Sequence, residues 1–323
     1  MTRPRLFITR RIPDAGLELL SGRFDIELWP EYGPPPADAL RAGLANADAM
    51  VSLLSDRIDK AVLDAAPRLK MIAQYAVGYD NIDVIAARAR GILVSNTPDV
   101  LTDASADFAW ALLMAVARRV VEADRYVREG KWQVAWHPAM LLGRDVAHST
   151  IGIIGAGRIG QAVGRRAKGF SMNILYSGSS EKHDFEVVTG AKHVDLDTLL
   201  RESDFVSLHV PLNEHTRNMI NAEKLSLMKP GAYIINNSRG PVIDEKALYQ
   251  ALASGRLAGA GLDVFATEPA SAENPLFKLD NVVVAPHISS AGQATRDRMS
   301  IIVARNLLAW LDGHNPENLV TPF

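Results

Sequence analysis

A chain of 323 residues, 48% hydrophobic and 22% charged, has the make-up of an ordinary globular protein, with length for about two domains that each bury a core. Lys and Arg number 35 against 37 Asp and Glu, so no excess positive charge favours sequence-independent binding to a phosphate backbone, and nucleic acid is not an expected partner. The lack of cysteine excludes disulfides, thiolate nucleophiles and zinc–thiolate centres and fits a reducing compartment.

The N-terminal stretch MTRPRLFITRRIPDAG has no leader-like apolar core, and no apolar run approaches the roughly 20 residues that span a bilayer, so the expectation is a cytoplasmic chain with no membrane partner. Short apolar runs at 5–9, 48–54, 69–75 and 92–95 read as buried strands, and 13–20, 36–47, 59–66 and 81–90 read as helices between them. Such alternation implies crossovers and a parallel sheet of four or five strands. From 101 to about 126 the pattern predicts one long helix. Ala104, Phe108, Leu112, Val116 and Val120 follow one another at i+4, and Trp110, Leu113 and Ala117 add a second apolar face. A helix apolar on two sides packs between domains or against another subunit. A second series then places strands at 150–154, 173–176, 205–210, 232–236, 260–264 and 282–285, six in all, as in a doubly wound dinucleotide domain. A closing helix over 294–311 carries Met299, Ile302, Val303, Asn306, Leu307 and Trp310 on one stripe.

The strand at 150–154 runs directly into Gly155-Ala156-Gly157-Arg158-Ile159-Gly160 and a helical stretch. Gly155 permits the tight turn, Gly157 lets the backbone approach a pyrophosphate, and Gly160 lets helix and strand pack closely, while the helix N-terminus offers free N–H groups to an anion. Flavin or another nucleotide would also suit a bare motif of this kind; its place between strand and helix favours a dinucleotide. The next strand ends Tyr176-Ser177-Gly178-Ser179-Ser180, with no carboxylate at its tip to hydrogen-bond a ribose 2′-hydroxyl. Ser177, Ser179, Ser180 and Lys182 offer donors for a 2′-phosphate, so NADPH is the preferred cofactor and NADH is accepted less well. The absence of an arginine and the neighbouring Glu181 pull the other way, and a loop that discriminates poorly is the plain alternative.

Three polar residues lie at or beyond strand C-termini in this half: Arg239 after AYIINNS, Glu268 after GLDVFAT and His287 after VVVAP. Each alone has an ordinary explanation, as a surface ion pair, a solvated turn or a satisfied imidazole. Together they suit the reduction of a carbonyl, for which a proton donor, a carboxylate that orients it, and a guanidinium fork for an oxygen or carboxylate are required. The eight histidines show no HxH or HxxxH spacing, and no metal site is expected.

The segments VGYDNID (77–83), TPDVLTDASADFAWALLM (97–114), GIIGAGRIG (152–160), INNSRGPVIDEKAL (235–248), GLDVFATEP (261–269) and APHISSA (285–291) resemble the D-isomer-specific 2-hydroxyacid dehydrogenases along essentially the whole chain. Within that family TRRIPDAGLELL (9–20), LLSD (53–56) and GKWQVAWHP (130–138) are most similar to the glyoxylate/hydroxypyruvate reductases. The resemblance implies Arg239, Glu268 and His287 as the catalytic set, with His287 as acid/base in hydride transfer to a small 2-keto acid. It implies that backbone N–H groups of Val77-Gly78, with Leu54-Ser55, hold the substrate carboxylate. Thr102, Asn237, Ser238, Asp263 and His287 to Ser290, Ser289 included, would line the nicotinamide end, with Asp263 taking the carboxamide; Val210, Pro211 and Thr216 would flank adenosine and ribose. Ser177 departs from the acidic residue of NAD-using members, and Glu268 departs from the Gln of formate dehydrogenases. Trp136 is a candidate wall of the substrate pocket, reaching from a neighbouring subunit, or simple packing.

The implied fold is α/β, with two doubly wound domains: a Rossmann domain over 99–289 inserted into a flavodoxin-like substrate domain made of 1–98 and 290–323, and a homodimer joined through the long helix. The two crossings would form a hinged cleft. Alternatives are another 2-keto acid such as 2-ketogluconate, phosphite oxidation on the same scaffold, or a dinucleotide-sensing, corepressor-like interaction protein that would not need the acid/base pair.

Overall fold

In the computed structural model, which describes residues 3–320, the chain divides into two compact units; the first two and last three residues of the expected outer domain lie outside the described residues. One unit runs to Leu101 and resumes at Ser290, and the other is Thr102–Ser289. Among the described residues no helix is long and apolar enough to cross a membrane.

In the outer unit β1 (Arg5–Ile8), β2 (Asp25–Leu28), β3 (Ala49–Ser52), β4 (Met71–Gln74) and β5 (Leu93–Ser95) pair in parallel in the order β2-β1-β3-β4-β5, the flavodoxin-like order. The central strands β3 and β4 are buried at every position, which is why they read as continuous apolar runs. β2 escaped the sequence reading for the opposite reason: it is an edge strand of sequence DIEL, its Asp25 and Glu27 exposed and facing Arg5 of β1. Acidic side chains cap the helices Lys60–Asp64 and Val84–Ala89: Asp59 accepts from the Val62 N–H and Asp83 from the Ala86 N–H. The closing helix Gln293–Leu311 packs on Asp14–Leu20, and of the expected stripe Met299, Val303, Asn306 and Leu307 are buried and Ile302 and Trp310 half-buried.

The second unit holds β6 (Thr150–Ile154), β7 (Asn173–Ser177), β8 (Lys192–His193), β9 (Phe205–Leu208), β10 (Ala232–Asn236), β11 (Leu257–Leu262) and β12 (Val282–Val284), all parallel, in the order β12-β11-β10-β9-β6-β7-β8. The sheet therefore has seven strands where six were expected; β8, two residues long, carries no periodic signal. β11 also starts three residues before the expected 260 and ends at Leu262, which leaves Asp263 beyond the strand. The strand order reverses between β6 and β9, the crevice where doubly wound sheets bind dinucleotides.

The single helix expected over 101–126 is two, Thr102–Ala117 and Val120–Arg128, broken where Arg119 takes a φ of +54°. The first is buried against the sheet, with the Trp110 indole donating to the Val163 carbonyl at 3.1 Å and stacked on Phe170. It stops because the Arg144 N–H takes the Ala117 carbonyl at 2.8 Å, and Arg119 turns back to pair with Glu122 at 2.6 Å. The second helix buries none of its residues.

Candidate active site

Arg239, Glu268 and His287 all belong to the second unit and follow β10, β11 and β12, so the sheet delivers them at adjacent strand ends. The His287 Nδ1 lies 2.7 Å from a Glu268 carboxylate oxygen, and the other Glu268 oxygen accepts from the Phe265 N–H at 3.0 Å. Burial pushes the Glu268 carboxyl up, but the hydrogen bond and charge of His287, the Phe265 N–H and the Arg239 guanidinium outweigh it and hold the group below its ordinary value. Glu268 is thus a carboxylate throughout the neutral range, and the Nδ1 proton has a fixed acceptor. The imidazole is left with Nε2 for other work.

Several residues build this geometry without entering it. Asn236 accepts from both the N–H and the hydroxyl of Ser238 and donates to the Arg239 carbonyl, fixing the turn from which Arg239 projects. That turn lies hard against the Glu268 segment at Gly240, where an added Cβ would stand 1.9 Å from the Phe265 carbonyl. Glu245 holds the same segment by accepting from the Ala266 N–H at 2.8 Å. His287 itself sits at φ +56°, a left-handed conformation uncommon outside glycine and asparagine. It is kept there by Asp263: the Asp263 carbonyl accepts from the His287 N–H, and its two carboxylate oxygens accept from the Ile288 and Ser289 N–H groups, all at 2.8 Å. Burial pushes the Asp263 carboxyl up, against the pull of those two N–H groups and of nearby His287. Asn236, Gly240 and Glu245 were missed from sequence; the doubled Asn before Ser-Arg-Gly was the available signal.

The dinucleotide-type turn has the expected form. β6 ends at Ile154, Gly155 turns at φ +94° with its N–H on the Ser177 carbonyl, and Gly157 opens the helix Arg158–Gly169. A Cβ on Gly160 would stand 2.1 Å from the Gly155 carbonyl oxygen, whereas one on Gly157 would meet nothing within 4 Å. Among the described residues the Ala156 and Gly157 N–H groups have no acceptor, and the buried Asn237 Oδ1 has no donor while its amide nitrogen is held by the Ser105 carbonyl. Free N–H groups before a helix suit a pyrophosphate, and a lone buried acceptor suits an amide NH₂, so these residues fit a nicotinamide dinucleotide. Ser177 ends β7, with Ser179 and Ser180 exposed beyond it and the Lys182 ammonium on the Ser180 hydroxyl at 2.8 Å. Val210 and Pro211 follow β9, and the Thr216 hydroxyl closes on the Pro211 carbonyl. Thr102 opens its helix and Ser289 ends the unit. Leu54, Ser55, Val77, Gly78 and Ser290 belong to the outer unit, the first four on loops that follow β3 and β4.

Residues 110–289 match the model of the D-isomer specific 2-hydroxyacid dehydrogenase NAD-binding domain. The chain belongs to the D-isomer-specific 2-hydroxyacid dehydrogenase family. It is 58% identical to the glyoxylate reductase of Korarchaeum cryptofilum over 98% of this chain and 96% of that one, and 54% identical to the glyoxylate reductase of Thermococcus litoralis over 98% and 97%. Among solved structures it is similar, with a TM-score of 0.88 and 34% identity over 99% of this chain and 97% of the other, to an NADPH-dependent glyoxylate/hydroxypyruvate reductase from Sinorhizobium meliloti in complex with NADP and malonate. As a member of this family it is an oxidoreductase with a nicotinamide-dinucleotide domain, and the expected α/β fold class is borne out.

Proposed function

We propose that the protein reduces glyoxylate or hydroxypyruvate to the 2-hydroxy acid, of D configuration where C2 is a stereocentre, with NADPH preferred over NADH. The observation that carries this reading is the 2.7 Å His287–Glu268 pair beside the charge of Arg239, on a unit with a free-amide dinucleotide turn. The cofactor would contribute a hydride to C2; the chain must supply everything else. Arg239 would hold the substrate by its carboxylate or keto oxygen and draw electron density from C2. As C2 is reduced, its oxygen becomes an alkoxide, and His287 would deliver the Nε2 proton to it while Glu268 steadies the resulting charge distribution through Nδ1. The balance is one hydride to carbon and one proton to oxygen, with the proton regained from solvent.

The outer unit is proposed as the substrate domain and Thr102–Ser289 as the cofactor domain. Ala156, Gly157 and the helix start at Arg158–Gly160 would take the pyrophosphate, Val210, Pro211 and Thr216 the adenosine side, and Thr102, Asn237, Ser238, Ser289 and Ser290 the nicotinamide side. Asp263 uses two of about four acceptor positions on its own turn and would offer another to the carboxamide. The 2′-phosphate preference rests on Ser177, Ser179, Ser180 and Lys182. A homodimer is also proposed, supported by Val120, Val121, Val127, Trp132, Val134, Trp136 and Leu142, all exposed on one stretch, with Trp136 76% exposed. Cytoplasmic location completes the proposal, consistent with a chain free of cysteine.

The test follows nicotinamide absorbance with NADPH and NADH against glyoxylate, hydroxypyruvate, pyruvate and 2-ketogluconate, and with phosphite plus the oxidised cofactors. Turnover of the first two with NADPH is the expected result. Cofactor binding with no turnover of any of them would favour a sensing role instead. Ser177→Asp adds a carboxylate where the 2′-phosphate would lie and should raise the KM for NADPH about 100-fold, with NADH little affected. An unchanged NADPH/NADH ratio would remove these serines from the preference.

A further inference from the structure

The two outer-unit loops proposed to seat the substrate carboxylate are tied together by a pair of neutral amides. Gln74, fully buried at the end of β4, accepts from the Ser52 hydroxyl at 2.6 Å and donates both amide hydrogens, to the Gly78 carbonyl at 3.1 Å and to Asn81 Oδ1 at 2.8 Å. Asn81 in turn donates both of its own to the loop after β3, to the Leu53 carbonyl at 3.0 Å and the Asp56 carbonyl at 2.7 Å. Buried Asp56 closes that loop from below, accepting from the Leu53 N–H, the Thr9 hydroxyl and Arg10. The Val77 carbonyl is taken by Asn96 at 2.8 Å.

The bookkeeping of donors and acceptors is lopsided. The Leu53, Asp56, Val77 and Gly78 carbonyls are all consumed by side-chain amides, whereas among the described residues the N–H groups of Leu54, Ser55, Val77 and Gly78 have no acceptor. Carbonyls turned inward and N–H groups left over on half-buried or exposed loops make a concentration of donors suited to an anion. These loops follow neighbouring strands β3 and β4, and the Gln74–Asn81 pair joins them through side-chain hydrogen bonds.

We propose that Asn81, supported by Gln74, is a positioning residue that sets the spacing of the Leu53–Asp56 and Val77–Gly78 loops and so the affinity for the substrate carboxylate. It rests on the reading that those loops take that carboxylate. Asn81 touches neither substrate nor cofactor and acts through the backbone it holds. Its loss should appear in substrate binding and not in hydride transfer, because Arg239, Glu268 and His287 belong to the other unit.

The experiment compares wild type with Asn81→Ala and Asn81→Asp. The Asp variant keeps the acceptor for Gln74 but turns a carboxylate oxygen on the Leu53 and Asp56 carbonyls. Steady-state kinetics with glyoxylate, NADPH affinity by fluorescence, oxamate affinity by calorimetry and thermal midpoints are measured. Without the two carbonyl anchors the donors lose their fixed spacing, so KM for glyoxylate and Kd for oxamate should rise roughly tenfold or more. kcat and NADPH affinity should stay near wild type in folded protein. Wild-type KM and oxamate affinity in a folded variant would overturn the proposal, as would a fall in kcat at constant KM. Failure of both variants to fold would also overturn it, marking Asn81 as a determinant of folding. If wild type binds oxamate through an Asn81-dependent site yet reduces no keto acid, the functional reading fails while the brace stands.

Discussion

The two units put polar chemistry at the same place, the C-terminal ends of a parallel sheet, but by opposite means. In Thr102–Ser289 it is carried by charged side chains, Arg239, Glu268 and His287, each standing beyond its own strand. In the outer unit the Asp56–Arg10 pair lies under the first loop, and the backbone N–H groups of Leu54, Ser55, Val77 and Gly78 are presented by loops that neutral amides hold together. The contrast follows from the tasks proposed for them. Proton delivery needs a titratable group with a fixed partner, whereas holding a carboxylate of constant charge needs only donors in a fixed place.

Variants on the charged side should therefore affect turnover, and the largest effect belongs to His287→Ala. Loss of the proton donor should cost 100- to 10,000-fold in kcat with NADPH affinity retained, as read by steady-state kinetics and fluorescence titration. Loss of less than tenfold would place the donor elsewhere. Arg239→Lys keeps the charge but loses the fork and should lower kcat/KM for glyoxylate about 100-fold. Equal activity of the two would reduce Arg239 to a general positive charge.

In the glycine turn, packing and ligand binding fall on different residues. Gly160→Ala meets the Gly155 carbonyl and should destabilise the protein by about 1–3 kcal/mol in urea unfolding. Gly157→Ala meets nothing in the protein and should leave stability unchanged while weakening NADPH binding roughly tenfold or more. The reverse pattern would mean that Gly157 serves packing and not the pyrophosphate.

What was legible in the sequence divides along similar lines. Strands such as β6 and β10 are buried throughout or nearly so, and their boundaries were read to the residue. β2 was lost because an edge strand alternates charge, and β8 because two residues have no period. The break at Arg119 depends on the Arg144 N–H reaching the Ala117 carbonyl, a pairing no local pattern announces. In the site, motif and strand position single out Arg239, Glu268 and His287, and the structure places them after neighbouring strands, with His287 on Glu268. Asp263 was assigned to the cofactor, yet in the structure its carboxylate first of all shapes the His287 turn. The Gln74–Asn81 brace was invisible, since both are common polar residues whose partners on the β3 loop are more than 20 positions away.

In the proposed mechanism Glu268 acts through the imidazole, and the pH dependence of kcat/KM for glyoxylate in wild type and Glu268→Gln separates that role from a purely structural one. Because the Glu268 carboxyl is held below its ordinary value, it is charged across the assay range, and replacing it with a neutral amide should change the pH profile of reduction and lower kcat/KM roughly tenfold or more. Superimposable profiles and equal activity of the two proteins would remove Glu268 from the reaction.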